Sequence, residues 1–386
     1  MTATFPVMPA GTSSLTVETV TDAPGFAALQ QEWDRLLQSS DSDGLFLTWE
    51  WLYTWWKHLA GDRELSILTV RCEGELVALA PCALRLASLV RRRPLPVLEF
   101  LGAGLVGSDY LDLIVRRGRE PEVRRALASH LVRKRLMLNW TQLKRSGCSA
   151  AGVAAALGEN GWSVAEAATN TCPFIPLAGR SWDSYLATLG AEHRYNFHRK
   201  WKRLNRDYAV QFEQVRTQAQ CREEIDLVIS QHNLRWQDRG GSDAFHAPGL
   251  VAFHQEFSQV ALDRGWLRLY VLRLDGKPAA CLYGFLYHRT FYFYQSGFDA
   301  AYVKHSVGLV TMGLAIQSAI DEGAEEYDLL HGNEAYKSHW SCDSRELGRL
   351  EAYPPRVLGW ICRSSVELER ASRRFARRML PRGGIS

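Results

Sequence analysis

The sequence predicts an α/β chain, of the α+β kind, built from two tandem copies of one unit in which a mixed, mostly antiparallel sheet is flanked by helices. Helical and strand-like periodicities alternate along all 386 residues. A hairpin pattern occurs twice, with Arg71, Gly74 and Ala78 matching Arg273, Gly276 and Ala280 at one constant offset. Each hairpin is followed by further strand-like sequence (Asp109 to Val115, Phe291 to Ser296) and then by helix. The copies are assigned to residues 1–165 and 166–386, joined across Glu159 to Pro176, where Gly161, Pro173 and Pro176 fall.

Ser14 to Val20 alternates as a strand does, and Pro24 to Leu37 has helical spacing. Thr48 is placed to cap a helix crowded with Trp49, Trp51, Trp55 and Trp56. These tryptophans are expected to pack the first core, a groove for an extended substrate being the other reading. Leu65 to Cys72 and Leu76 to Leu86 read as strands meeting at Glu73-Gly74-Glu75. Pro121 opens the next helix. Ala191 to Arg206 is predicted helical, with Tyr195, Phe197, Trp201 and Leu204 on an apolar stripe and Arg194, His198, Arg199, Lys200, Lys202, Arg203 and Arg206 around it. That helix is either a solvated face or a cationic wall beside an anionic substrate. A basic helix over Arg363 to Arg382 closes the chain and is expected to dock on the body.

Composition bounds the function classes. Hydrophobic residues make up 46% and charged residues 23%, as in a soluble globular protein. A net charge of +4 gives no argument for nucleic-acid binding by itself. Eight scattered cysteines without a Cys-x-x-Cys pair fit reduced thiols, hence a cytoplasmic location. No signal peptide or membrane-length apolar run is read, the longest uncharged stretch, His305 to Ile320, being too short. Metal is not expected, because neither His246 and His254 nor His193 and His198 are spaced to share a helical face. Walker, Gly-x-Ser-x-Gly and His-Glu-x-x-His motifs are missing.

The stretch from Phe291 to Trp340 carries the chemistry. Phe291 to Ser296 reads as a strand ended by Gly297 to Asp299, Val307 to Ile320 as a buried helix, and Tyr327 to Leu330 as a short buried strand. The start of that helix, with Lys304, Ser306, Val307 and Gly308, offers backbone N–H groups, a cation and a hydroxyl to an anion such as a pyrophosphate.

Strand, helix start, helix and Tyr327-Asp-Leu-Leu-x-Gly-Asn-x-x-Tyr336-Lys337-x-x-Trp340 resemble the C-terminal half of a GNAT acyltransferase domain of the CelD/BcsL group, related to the Fem-type peptidyltransferases. The likeness covers residues 180–345 well and the first half more loosely. Val307 stands where relatives often have Pro, and His331 where they often have Arg. The resemblance implies transfer of an acetyl or other acyl group from acyl-coenzyme A to an amine or hydroxyl of a small-molecule, glycan or peptide acceptor, with exopolysaccharide or cell-surface glycan synthesis as the implied pathway. Its Fem side implies instead an aminoacyl-tRNA-dependent peptidyltransferase. A non-catalytic module binding an anionic partner is the reading from another class.

Acyl transfer needs a held carbonyl, a deprotonated acceptor and a proton for the leaving thiolate. Amides along Gln295, Ser296 and Gly297, with Lys337, are candidates for the carbonyl; the resemblance matches Lys337 to a Fem-type lysine. Tyr336 or Asn333 is placed to protonate or orient the sulfur. Asp328, Asp299, Asp109 and Asp112 are candidate bases, the last two contributed by the first copy, which is expected to lie on the substrate side. Arg194 and Arg199 are expected beside the substrate.

Overall fold

The computed structural model describes residues 14–88, 94–237, 247–332, 334–341 and 343–355, together with residues 359–361, 363, 364, 366 and 367. Asn333, His246 and most of the predicted C-terminal helix lie outside the described residues. In the first half the order is β1 (Leu15–Val20), α1 (Ala23–Ala28), α2 (Gln30–Gln38), α3 (Trp49–Leu59), β2 (Arg63–Leu65), β3 (Ile67–Cys72), β4 (Glu75–Ala80), β5 (Cys82–Arg85), β6 (Val97–Phe100), β7 (Ile114–Val115), α4 (Glu120–Val132), β8 (Met137–Lys144) and α5 (Ser149–Glu159). The second half follows with β9 (Ser163–Pro176), α6 (Trp182–Leu186), α7 (Ala191–Asp207), β10 (Val210–Gln214), α8 (Gln218–Gln237), α9 (Pro248–Asp263), β11 (Leu267–Leu274), β12 (Lys277–Tyr287), β13 (Thr290–Phe298), α10 (Val307–Asp321), β14 (Glu326–Asp328) and β15 (Asp343–Tyr353).

The duplicated hairpins are built alike. Glu73 and Gly74 have φ of 50° and 85°, Asp275 and Gly276 51° and 78°, the left-handed pair that a two-residue turn between twisted strands requires. Each hairpin carries a bulge at the same point, after Val70 and after Leu272. The two matching arginines also take matching partners: Arg71 pairs with Glu32 of α2 and Arg273 with Glu224 of α8.

Among the described residues β1-β3-β4-β7 form one sheet, while the other strands run as β10-β11-β12-β13-β14-β9-β15-β8-β6-β5-β2. The larger sheet crosses both halves. β15 inserts between β9 and β8, and the stretch read as the join is the 14-residue strand β9. The tryptophan helix α3 seals the other contact between the halves. Thr48 caps it, accepting from Trp51 N–H, and the buried Trp51 ring meets Phe253 and Phe257 of α9 and Phe285 of β12 edge-on. Trp51 and Trp55 are thus core, as expected.

Two local expectations are corrected. Asp109 to Val115 is strand only at Ile114–Val115, because Tyr110 adopts a left-handed φ of 58° that breaks the extended run. Gly297 lies inside β13, which runs on to Phe298: a Cβ there would sit 2.7 Å from Gln231 Cβ, so glycine admits α8 against the strand.

Candidate active site

β13 and β14 run parallel but pair only over Thr290–Tyr292 and Glu326–Asp328. Beyond that point they part. The described backbone after Tyr292 and after Asp328 then lines a cavity of about 190 Å³ whose walls include Tyr294, Gln295, Leu330, His331, Tyr336 and Lys337. A bulge opposite Tyr283/Gly284 places Tyr294 in this wall, where its hydroxyl donates to Val106 O and contacts His254 Nε2 at 3.1 Å. Burial holds His254 neutral, lowering its pKa to about 3.

The first copy reaches this cavity through Asp109. Its fully buried carboxylate lies 2.7 Å from His331 Nδ1 and accepts the His331 amide at 2.8 Å and Gln142 Nε2 at 3.0 Å. A carboxylate only accepts, so Nδ1 carries the proton and Nε2 is the basic nitrogen, on a ring one-third exposed (33%) in the cavity wall. The hydrogen bond to Asp109 raises the His331 pKa above its ordinary value, against the opposing effect of burial.

Backbone strain surrounds this pair. Of the described non-glycine residues with positive φ, Glu73, Asp275 and His288 sit at strand connections and Ser306 precedes α10; the other three, Tyr110, Gln142 and Leu330, flank Asp109, donate to it, or precede His331. Such conformations cost on the order of 1–3 kcal/mol each and persist where surrounding contacts impose them. Here the contacts are visible: Asp328 Oδ1 accepts Leu330 N–H at 2.7 Å, Tyr110 donates to Asp328 Oδ2 at 2.7 Å, and Leu111 N–H reaches Gln142 O at 3.0 Å.

The predicted residues distribute unevenly around this centre. Gln295, Tyr336 and Lys337 line the cavity. The buried Lys337 ammonium, however, meets His331 O at 2.9 Å, Leu330 O at 3.3 Å and Glu334 Oε2 at 3.0 Å. Two hydrogen bonds to main-chain carbonyls and the ion pair with Glu334 occupy the ammonium, so Lys337 clamps the backbone at Leu330 and His331. Asp328 is fully buried, pushed up to about 7 by desolvation, and spent on Tyr110, Leu330 and Arg345. Asp112 is likewise buried, raised to about 6 by desolvation, and caps α5 by accepting from Ser149 N and Ala150 N at 2.8 Å each. Asp299 caps a 3₁₀ turn through Ala301 N at 2.8 Å. None of these three carboxylates is free to act as the base.

At the outer end, Ser306 takes φ 57°, ψ 41°, and the first amides bonded within α10 are those of Leu309 and Val310, both to Ser306 O. The amides of Val307 and Gly308 therefore precede the helical ladder; Gly308 is exposed, as is Lys304, while Val307 is buried. The Val307 side chain itself is core. Ser296 and Gly297 carry β13 from the cavity toward Phe298, whose ring lies 3.5 Å from a Cβ built at Gly308. Arg194 is turned to Ala187 O and Leu189 O, and the exposed Arg199 lies over the Tyr195 ring; neither lines the cavity. Among the described residues no group of three or more His, Cys, Asp or Glu side chains is placed to hold a metal. No helix among them is long and apolar enough to cross a membrane.

His331 is the cavity residue that the residue pattern left out. Its signal was present, a histidine where relatives often carry arginine, but its partner lies 222 positions away.

Residues 191–338 match the family model described as an acetyltransferase (GNAT) domain. Among solved structures, FemX shares 12% identity over 86% of this chain and 96% of its own, with a TM-score of 0.59. A conserved protein of unknown function from Bacteroides thetaiotaomicron VPI-5482 shares 13% over 87% and 99%, with a TM-score of 0.55. The C-terminal domain of a putative lysylphosphatidylglycerol synthetase from Agrobacterium fabrum shares 11% over 90% and 96%, with a TM-score of 0.51. No curated protein matches. Such identities speak for a common fold. Residues 191–338 are thus similar to a GNAT acetyltransferase domain, within a fold that extends across both halves.

Proposed function

We propose that the protein is an acyltransferase that takes an acyl group from acyl-coenzyme A to an amine or hydroxyl, with His331 as general base and Asp109 holding its imidazole. The single observation that carries the reading is the buried carboxylate–imidazole pair in the wall of the cavity where β13 and β14 part. The strand edges exposed by that parting suit the amides of an extended pantetheine chain, and the exposed Gly308 at the start of α10, with Lys304, suits its diphosphate. In the reaction, His331 Nε2 accepts the acceptor's proton as its nitrogen or oxygen bonds to the thioester carbon. Collapse of the tetrahedral intermediate breaks the C–S bond, and the imidazolium or Tyr336 returns a proton to the thiolate. Lys337 keeps the 330–334 turn in register. Arg194 and Arg199 sit on α7 beside the carrier's path, and an exopolysaccharide or surface-glycan acceptor in a cytoplasmic pathway, as in the CelD/BcsL group, is the finer expectation.

A second reading, in which an aminoacyl-tRNA is the donor, is favoured by one observation: His198, Arg199, Lys202, Arg203 and Arg206 stand exposed along α7. Thermal-shift titration separates the two. Stabilisation by acetyl-coenzyme A that Gly308→Asp removes supports the first, whereas salt-sensitive tRNA retention without it supports the second. If neither ligand binds, both enzymatic readings fall and the non-catalytic module remains.

A further inference from the structure

The register of the two copies continues past the hairpins. Val115 lies opposite Ala78 and Ile114 opposite Leu79, just as Phe298 lies opposite Ala280 and Gly297 opposite Cys281. α4 and β8 then follow β7 as α10 and β14 follow β13. The first copy's counterpart of the carrier site is therefore the space between β7, the first turn of α4 and the start of α5. A cavity of about 260 Å³ occupies it, with Leu113, Val115, Val123, Arg124, Cys148 and Val153 among its walls. β7 and β8 belong to different sheets, so the gap is wider than the parting of β13 and β14.

A diphosphate is the wrong guest here. Pro121 removes an amide from the first turn of α4, the Glu120 carboxylate takes Gly118 N–H at 3.0 Å, and Glu122 pairs with Arg119 at 2.5 Å. The positive end of the helix is thus already covered by carboxylates. What remains is mostly alkyl wall, in a volume larger than the roughly 150 Å³ that admits a benzene ring. The cavity also adjoins a second one, of about 180 Å³, in whose wall Asp109 stands; the two share Gly147 and Cys148.

We propose that the 260 Å³ cavity binds an aliphatic chain, the apolar end of an amphipathic ligand whose polar head occupies the adjoining cavity. The proposal stands without the reading of Asp109 and His331 as the catalytic pair. The test titrates the full chain by calorimetry with hexyl, octyl and decyl glucoside below their micellar concentrations, and follows maleimide labelling of Cys148 by peptide mass spectrometry. Affinity is expected to rise about three- to fourfold per added methylene until the cavity fills, with Cys148 protected in step. Cys148→Trp and Gly152→Leu, each adding bulk at the wall, are expected to abolish the chain-length dependence; a thermal melt identifies whichever of them is folded. Affinity independent of chain length in the wild type, or unchanged in a folded plugged variant, overturns the proposal. Acetyl-coenzyme A titrated into the same proteins reports on the carrier site separately, so alkyl binding without coenzyme binding removes the proposed function and leaves this cavity standing.

Discussion

Asp109 Oδ1 and His331 Nδ1 lie 2.7 Å apart although 222 positions separate them in the chain, and each belongs to a different copy of the repeated unit. The pair forms only where the two halves meet. Asp109 is fully buried and receives three further donors, the His331 amide, the Gln142 side chain and the Cys172 thiol, so its carboxylate is held in place before any substrate arrives.

Replacing His331 with Gln is expected to lower kcat/KM by about 10²–10⁴-fold, the usual worth of a positioned base. Because the imidazole must be neutral to accept a proton, wild-type kcat/KM should rise with pH through the His331 pKa, which lies above its ordinary value. Asp109→Asn removes the cause of that elevation and should move the rising limb to lower pH while reducing its height. A pH–rate profile unchanged in both variants would take the pair out of the mechanism.

The carrier site has its own probe. Gly308 is exposed and an added Cβ makes only ordinary contact with the Phe298 ring, so Gly308→Asp should fold normally. A carboxylate beside the first amides of α10 opposes a diphosphate, and coenzyme affinity should fall at least tenfold by calorimetry. Retained affinity would place the carrier elsewhere.

Lys337→Ala is expected to act on structure as well as turnover. Two loop carbonyls lose their donor and Glu334 loses its counter-charge, at a cost of roughly 1–3 kcal/mol. Chemical denaturation should register that loss, and hydrogen exchange should rise across residues 330–337. Lost activity with wild-type stability and exchange would instead return Lys337 to direct contact with the substrate.

Two buried carboxyls and one partly exposed imidazole make stability fall as pH rises. Asp328, at about 7, and Asp112, at about 6, have folded pKa values above the 3.8 of the free side chain, and His331 lies above 6.5. A raised folded value means a contribution present in full below the unfolded pKa and lost as pH climbs through the folded one. Between pH 4 and pH 8 the unfolding free energy of Asp328→Asn should therefore gain on the wild type, by at most roughly 4 kcal/mol at 1.36 kcal/mol per unit. A pH-independent difference between the two proteins would show that Asp328 is not buried as described.

Gly313 marks where α10 meets α7. A Cβ there would come within 2.2 Å of the buried Phe197 ring, so Gly313→Ala should cost about 1–3 kcal/mol in urea denaturation despite alanine's better helix propensity. A neutral effect would mean that α7 is free to shift, which the cationic-wall reading of this helix does not allow.

Local chemistry alone was enough to read much of this protein. The turn pairs Glu73-Gly74 and Asp275-Gly276, the Thr48 cap and the apolar spacing of α7 and α10 are set by interactions within a few residues, and the repeated hairpin exposed the duplication. Tyr336, Lys337, Gln295 and Asp109 were singled out from sequence as candidates, because polar residues beside buried strands stand out against their surroundings. Which of those residues shared a cavity was another matter. Whether Asp112 faces a substrate or caps α5, whether Lys337 is free or clamped, and that Asp109 meets His331, all depend on how two halves pack and on where β15 threads between β9 and β8. Periodicity reports a residue's own element and face; the partner that fixes its charge comes from a distant segment, and only the tertiary structure supplies it.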